Sequence, residues 1–107
     1  MGTLLHRTRC EVLRKYSTAI RLAVAMELVR RHGKSQLEAS RLAGVKQPLL
    51  NYVLNGRRRL PLLEELYSDE RALAAIQRAA DLIAMGKDVS MCYFCGVLGL
   101  GERVVIP

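Results

Sequence analysis

Three cysteines have the most distinctive chemistry in this 107-residue chain. Cys92 and Cys95 form a Cys-x-x-Cys, in which two sulfurs can converge on one point, and Cys10 lies far from them in the sequence. Such a pair suits zinc, an iron–sulfur cluster or a reversible disulfide. Because structural zinc takes four ligands, Cys10 would supply a third, and His6 or a group from a partner subunit a fourth. The alternative is that the thiols only pack within a small apolar segment.

Basic side chains form a second group, and they are unevenly distributed. Residues 1–59 contain thirteen basic and three acidic side chains, whereas residues 60–107 contain four basic and seven acidic ones. With a net charge of +7, this asymmetry favours a polyanion as the partner of the first half, although a solvated charged surface is the alternative. Three of the cations follow one another at the end of that half, and four more come earlier: Arg57, Arg58, Arg59, and Arg30, Arg31, Lys34, Arg41.

The segment between these cations has the pattern of a helix-turn-helix, at residues 35–56. Ser35 and Glu38 form a capping box, and Gly44 supplies a turn residue that tolerates positive φ. Small side chains lie where the second helix would cross the first: Ala39, Ser40 and Ala43. In the second helix, apolar and polar side chains alternate between a buried and an outward face: Leu50, Val53 and Leu54 against Gln47, Asn51, Tyr52 and Asn55. Helical hairpins that act only as scaffolding are the alternative.

Lys46 is an unusual residue for the position before this second helix. It cannot accept a hydrogen bond, so the helix lacks a Ser, Thr or Asp cap, which costs about 1 kcal/mol. Its charge also opposes the positive end of the helix dipole. If this end faces a phosphate or a guanine edge, Lys46 contributes on binding what it loses in folding. Otherwise it simply points to solvent.

The elements that must position these residues are mainly helical. We predict an all-α fold, a compact bundle of four to six helices with a short irregular or strand-like C-terminal tail, in which residues 1–88 form a DNA-binding domain and residues 89–107 a tail for dimerisation or sensing. A first helix ends at Gly33 and buries one face: Leu13, Tyr16, Ile20, Val24 and Leu28. A last helix is capped by Ser68, closed by Gly86, and buries Leu73, Ile76, Ala80 and Ile83.

The residues from Ser35 to Arg57 resemble the phage-repressor-like (Xre-type) helix-turn-helix family. More narrowly, residues 10–95 are similar to a group of small archaeal predicted transcriptional regulators, which have an early Cys, a helix-turn-helix with Gln-Pro and a C-terminal Cys-x-x-Cys. The sequence departs from the family at Lys46, where Ser or Thr is usual, and at Leu49, where a small or polar residue is usual.

The resemblance implies a dimer that reads a pseudo-palindrome, with residues 47–55 as the recognition helix. It implies base contacts from the outer face of this helix, at Gln47, Asn51 and Tyr52, with Pro48 placed to touch a thymine methyl. From its charge and its position at the helix start, we add Lys46 to this base-contacting set. The resemblance implies a phosphate contact from Gln36 at the start of the first helix of the helix-turn-helix. From their charge or polarity and their places beside the helices, we add five further phosphate contacts: Arg41, Asn55, Arg57, Arg58 and Arg59. The resemblance also implies that Cys10, Cys92 and Cys95 act together, with zinc or an iron–sulfur cluster as the candidate cofactor.

We therefore expect a sequence-specific regulator that binds double-stranded DNA, with no enzymatic activity because no catalytic constellation is present. A protein-interaction module of the antitoxin or coactivator type is the alternative, and RNA binding is third because aromatic residues are scarce. We expect a cytoplasmic homodimer with no membrane span, since no apolar run is long enough. Dimerisation would use Leu82 and Ile83, or a strand at residues 104–106.

Overall fold

The structure is a computed structural model that describes residues 5–6, 16–57, 60–90 and 94. In chain order, the elements within these ranges are β1 (Leu5–His6), α1 (Ser17–His32), α2 (Gln36–Ala43), α3 (Gln47–Leu54), α4 (Pro61–Ser68), α5 (Glu70–Ala84) and β2 (Val89–Ser90). The predicted all-α bundle is confirmed, and α2 and α3 lie where the helix-turn-helix was predicted. No helix in the described ranges is long and apolar enough to cross a membrane.

Helix α1 is the centre of the bundle. It packs against all four other helices, most extensively against α5 and α2. All ten residues from Ala19 to Leu28 are buried, including Arg21 and Glu27. The prediction of one buried face was therefore too narrow. Its apolar spacing identified Ile20, Val24 and Leu28, but small or apolar residues on the other faces also receive neighbouring helices.

The ends of α1 and α2 follow the predicted turn chemistry. Ser35 caps α2, because its Oγ accepts a hydrogen bond from the Glu38 backbone N–H at 3.1 Å. Gly33 and Gly44 end α1 and α2 with φ of 66° and 76°, a left-handed conformation that strains other residues. The start of α2 and its turn into α3 are thus fixed locally, which sets the placement of α3.

The junction of α4 and α5 differs from the prediction by one residue. Asp69, not Ser68, caps α5: its Oδ1 accepts from the backbone N–H of Arg71 at 2.9 Å and of Ala72 at 3.4 Å. Ser68 is the last residue of α4, and its Oγ donates to the Glu65 carbonyl. A carboxylate is the better group here because the two unpaired N–H donors and the helix dipole both favour an anion.

The buried stripe of α5 is also wider than predicted. Ile76, Ala80 and Ile83 are buried as expected, while Leu73 is only half-buried. Three further alanines are buried beside them: Ala72, Ala75 and Ala79. These small side chains let α5 approach α1 closely. Ile83, only 1% exposed, belongs to the monomer core, so the predicted dimer contact through this residue is wrong, whereas the neighbouring Leu82 is half-buried.

A short parallel pairing joins β1 to β2, with Leu5 opposite Val89. No pattern in the sequence predicts β1. Leu5, Val89 and Phe94 are buried in the core, and the Leu5 carbonyl accepts a hydrogen bond of 2.6 Å from Arg21 Nη1. The predicted strand at residues 104–106 lies outside the described residues, and the division between residues 88 and 89 stays a prediction.

Candidate nucleic-acid interface

Helix α3 is held against the bundle by one narrow apolar edge. Leu50 and Val53 are buried, and α3 contacts only α2 and α1 extensively. The small residues predicted at its crossing with α2 are buried as expected: Ala39, Ser40 and Ala43. In the turn, the N–H groups of Gly44 and Val45 both donate to the Ser40 carbonyl, at 2.9 and 3.0 Å. Leu49 and Leu54 are half-buried against the core, so Leu54 is less buried than predicted, and Asn51 is also half-buried. The residues of α3 that face solvent are Gln47, Pro48 and Tyr52.

The turn before α3 is braced from inside by a buried cation. Arg21 on α1 donates from Nη1 to the carbonyl of Ala43, the last residue of α2, at 2.9 Å, and to the carbonyl of Leu5 at 2.6 Å. Carbonyls at a helix C-terminus have no partner within the helix and carry partial negative charge. The guanidinium therefore satisfies this carbonyl directly beside Gly44. Sequence reasoning missed this role, because a lone arginine in a helical stripe gives no signal of it.

A chain of three amide side chains crosses from α3 to α2. Asn55 Nδ2 donates to Asn51 Oδ1 at 2.9 Å, and Asn51 Nδ2 donates to Gln36 Oε1 at 2.9 Å. With this assignment of the amide groups, the NH₂ of Gln36 stands at the end of the chain as a donor. Three residues predicted to contact DNA are thus brought together. The spacing of Asn51 and Asn55 was the only part visible in the sequence.

The start of α3 is exposed, as the predicted base-reading face requires. Lys46, Gln47 and Pro48 are exposed, and Tyr52 is 46% exposed. Lys46 has an extended backbone and makes no side-chain cap, in agreement with the sequence. Pro48 has no N–H, so it removes one of the first-turn donors that a capping side chain would otherwise satisfy. The missing cap at Lys46 therefore costs less than its residue type suggests.

The cations predicted to flank the helices are divided between two surfaces. Arg41 and Arg57 are exposed on α2 and just after α3, whereas Arg58 and Arg59 lie outside the described residues. Lys34 Nζ lies 3.7 Å from Glu38 Oε1. Arg31 lies beside α5, where its Nη1 is 3.3 Å from Asp81 Oδ1. Arg31, one of the cations expected to favour a polyanion, is therefore paired with α5 in the structure.

The three cysteines and His32 are further residues with metal-binding or acid–base chemistry. Cys10, Cys92 and Cys95 lie outside the described residues, and within those residues no group of three or more His, Cys, Asp or Glu side chains could hold a metal ion. His32 Nε2 lies 2.7 Å from Asp81 Oδ1, at the C-terminal turn of α1. His32 therefore joins the end of α1 to α5.

Comparisons with known proteins do not extend this description. The resemblance to Xre-type regulators rests on the sequence pattern, and the helix pair α2 and α3 is the part of the fold that corresponds to it. Comparison of the chain with protein-family models, with curated proteins and with solved structures found no match.

Proposed function

We propose that this protein is a sequence-specific transcriptional regulator that binds double-stranded DNA with α3 in the major groove. The observation that carries the proposal is the amide chain from Asn55 through Asn51 to Gln36, next to the exposed Gln47. Asn and Gln side chains can pair with adenine through two hydrogen bonds in the major groove. Held amides lose less conformational freedom on binding than free ones, which favours a defined reading geometry.

The residues around α3 offer hydrogen-bond donors and positive charge that can bind the phosphates of the DNA backbone. The Gln36 amide presents N–H donors at the start of α2, where the helix dipole also favours an anion. Arg41 on α2 and Arg57 just after α3 add exposed positive charge. Contacts of this kind fix the register of a protein on a duplex, while α3 would read the base edges. We further propose a homodimer on a pseudo-palindromic site, since one two-turn helix reads only a few base pairs.

The proposal is tested by incubating the purified protein with genomic DNA fragments, recovering the bound fragments and sequencing them. One shared motif is the expected result. On that motif, Gln47→Ala should weaken binding by about 1–3 kcal/mol and leave random DNA almost unaffected. Gln77→Ala, which removes the same side chain from α5, is the matched control and should bind normally. Fragments without a common motif, or equal losses on every sequence, would contradict base reading.

Phosphate contacts have a different signature in the same assay. Arg57→Ala should weaken binding to the motif and to random DNA alike, and should lower the slope of log affinity against log salt by about one unit. Arg78→Ala, on the exposed side of α5, is the matched control with no expected change. A change of motif preference in Arg57→Ala would instead assign this residue to a base.

A protein-interaction module of the antitoxin or coactivator type is the second candidate. Leu37, at the start of α2, is 66% exposed, and Tyr52 on α3 is 46% exposed. Apolar side chains on the helix-turn-helix surface are also suited to a protein partner. Leu37→Asp distinguishes the two functions. It would abolish capture of a protein partner, whereas binding to the DNA motif would weaken only as far as one added negative charge requires.

A further inference from the structure

A cavity of about 250 Å³ lies between α1, α4 and the end of α3. Its apolar walls come from all three elements: Met26 from α1, Val53 from α3, and Leu60 and Leu63 at the start of α4. Arg30 and Glu64, both exposed and of opposite charge, lie along its edge. The volume is below the range of drug-sized ligand sites, so it fits a molecule of only a few carbon atoms.

The Tyr67 hydroxyl gives this apolar cavity one polar feature. Its ring lines the cavity, and its oxygen is buried without a hydrogen-bond partner among the described residues. A buried donor left unsatisfied costs free energy, and few native hydroxyls are in this state. Met26, an unbranched and adaptable side chain on the same wall, can shift to let a bound group reach the hydroxyl. An acceptor atom on a ligand would therefore gain a hydrogen bond that the protein does not make itself.

Burial around the Tyr67 hydroxyl disfavours an anion as its partner. Burial, together with the nearby Glu27 carboxylate, raises the pKa of the Tyr67 hydroxyl to about 12, and Arg30 only partly offsets them. The same surroundings would destabilise a ligand carboxylate placed beside this hydroxyl. They also keep the hydroxyl protonated, so that it can act as a donor.

We propose that this cavity is a binding site for a small, uncharged, apolar molecule whose carbonyl oxygen accepts a hydrogen bond from the Tyr67 hydroxyl. The occupant would touch Val53 on α3 and Gly56 just after it. Ligand binding would therefore change the surroundings of the C-terminal end of the proposed recognition helix. This last link, unlike the binding itself, rests on the DNA-binding function proposed above.

The binding site is tested on the free protein by NMR titration with two probes of the same shape. Methyl isobutyl ketone offers an uncharged carbonyl, and isovalerate replaces its methyl group by a charged oxygen. The ketone should shift the side-chain resonances of Leu60, Leu63 and Tyr67 in a saturable way, and isovalerate should bind at least about tenfold more weakly. Tyr67→Phe keeps the ring and should weaken ketone binding about three- to tenfold. Tyr16→Phe, which removes a hydroxyl elsewhere, should leave it unchanged.

Three results would overturn the proposal. They are no saturable shift with the ketone, equal affinity for isovalerate, and equal ketone affinity in Tyr67→Phe. Leu60→Trp, which narrows the entrance at a half-buried position, gives a second variant and should reduce ketone binding without removing the hydroxyl. The titration needs no DNA. A protein that binds the ketone but no DNA motif would thus contradict the proposed function while supporting the site.

Discussion

At the scale of single residues, the exposed side of α3 and its start combine residues that stabilise the helix with one that does not. The side chains of Asn51 and Asn55 are hydrogen-bonded at the spacing of adjacent helical turns, so they stabilise α3, with Asn51 half-buried against α2 and Asn55 exposed. Lys46 does the reverse, because it opposes the dipole of α3 and provides no cap. A residue that costs stability at an exposed position is a candidate for a role in binding.

The substitution Lys46→Asp tests whether Lys46 lowers folding stability and raises affinity for DNA. An aspartate can cap the remaining N–H donors of the first turn and complements the dipole, so the free energy of unfolding should rise by about 1 kcal/mol. Affinity for DNA should fall ~10-fold or more, since a cation is replaced by an anion at the proposed contact. Urea unfolding and DNA titration measure the two effects. Unchanged DNA affinity in a stabilised variant would show that Lys46 only points to solvent.

The buried Tyr67 hydroxyl predicts a loss of stability at alkaline pH. Because burial raises its pKa from 10.0 to about 12, the unfolded chain releases this proton at lower pH than the folded one. Ionisation of Tyr67 leaves the free energy of unfolding unchanged below pH ~10. As the pH rises toward ~12, the free energy of unfolding falls by a total of about 2 kcal/mol because of this group. Urea unfolding in this window should show a smaller decline for Tyr67→Phe than for Tyr16→Phe. Parallel declines in the two variants would contradict the assigned burial.

At the scale of elements, most boundaries could be predicted because they depend on local chemistry. The cap at Ser35, the glycine at the end of α2 and the proline in the first turn of α4 all lie where the sequence placed them. The α4–α5 junction could not be placed to the residue, because Ser68 and Asp69 are both good caps and only the length of α4 decides between them. The β1–β2 pair was missed because two residues carry no periodicity.

The assignment of the α5 cap predicts different effects for two neighbouring substitutions. Asp69→Ala should lower the free energy of unfolding by about 1 kcal/mol, because the N–H groups of Arg71 and Ala72 lose their acceptor. Ser68→Ala should cost only a few tenths, since its hydroxyl donates to a carbonyl near the exposed end of α4. Thermal or urea unfolding of both variants gives the comparison. A larger loss in Ser68→Ala would restore the cap that the sequence suggested.

At the scale of the whole molecule, the parts of the candidate site that are close together in the sequence could be predicted, and the parts that are far apart could not. The residues of α3 and the caps of α2 could be predicted, because their positions follow from helical spacing. The Gln36–Asn51 hydrogen bond, the Arg21 brace and the cavity beside Tyr67 could not be predicted. Each of them needs the packing of helices whose relative placement has no signature in the local sequence.

The proposed homodimer also belongs to this scale. Met85, 64% exposed, and the half-buried Leu82 lie together at the end of α5. We expect this end to contribute to the dimer contact, so Met85→Lys should shift the sedimentation coefficient toward that of the monomer and weaken binding to a two-half-site DNA. Leu37→Lys places the same charge at another exposed apolar position and should leave the oligomeric state unchanged. The reverse pattern would move the dimer contact to α2.

The two carbonyl acceptors of Arg21 become available at different times during synthesis of the chain. Helices α1 to α3 can assemble as soon as they leave the ribosome, because their contacts join neighbouring segments. The Leu5 carbonyl that shares Arg21 with Ala43 is held in place by pairing with β2, which is made much later. We therefore expect the Arg21 guanidinium of a nascent chain to stay partly hydrated behind the α2–α3 turn until Val89 and Ser90 have been made. The support of the α2–α3 turn would thus be completed only by a segment that is far from it in the sequence.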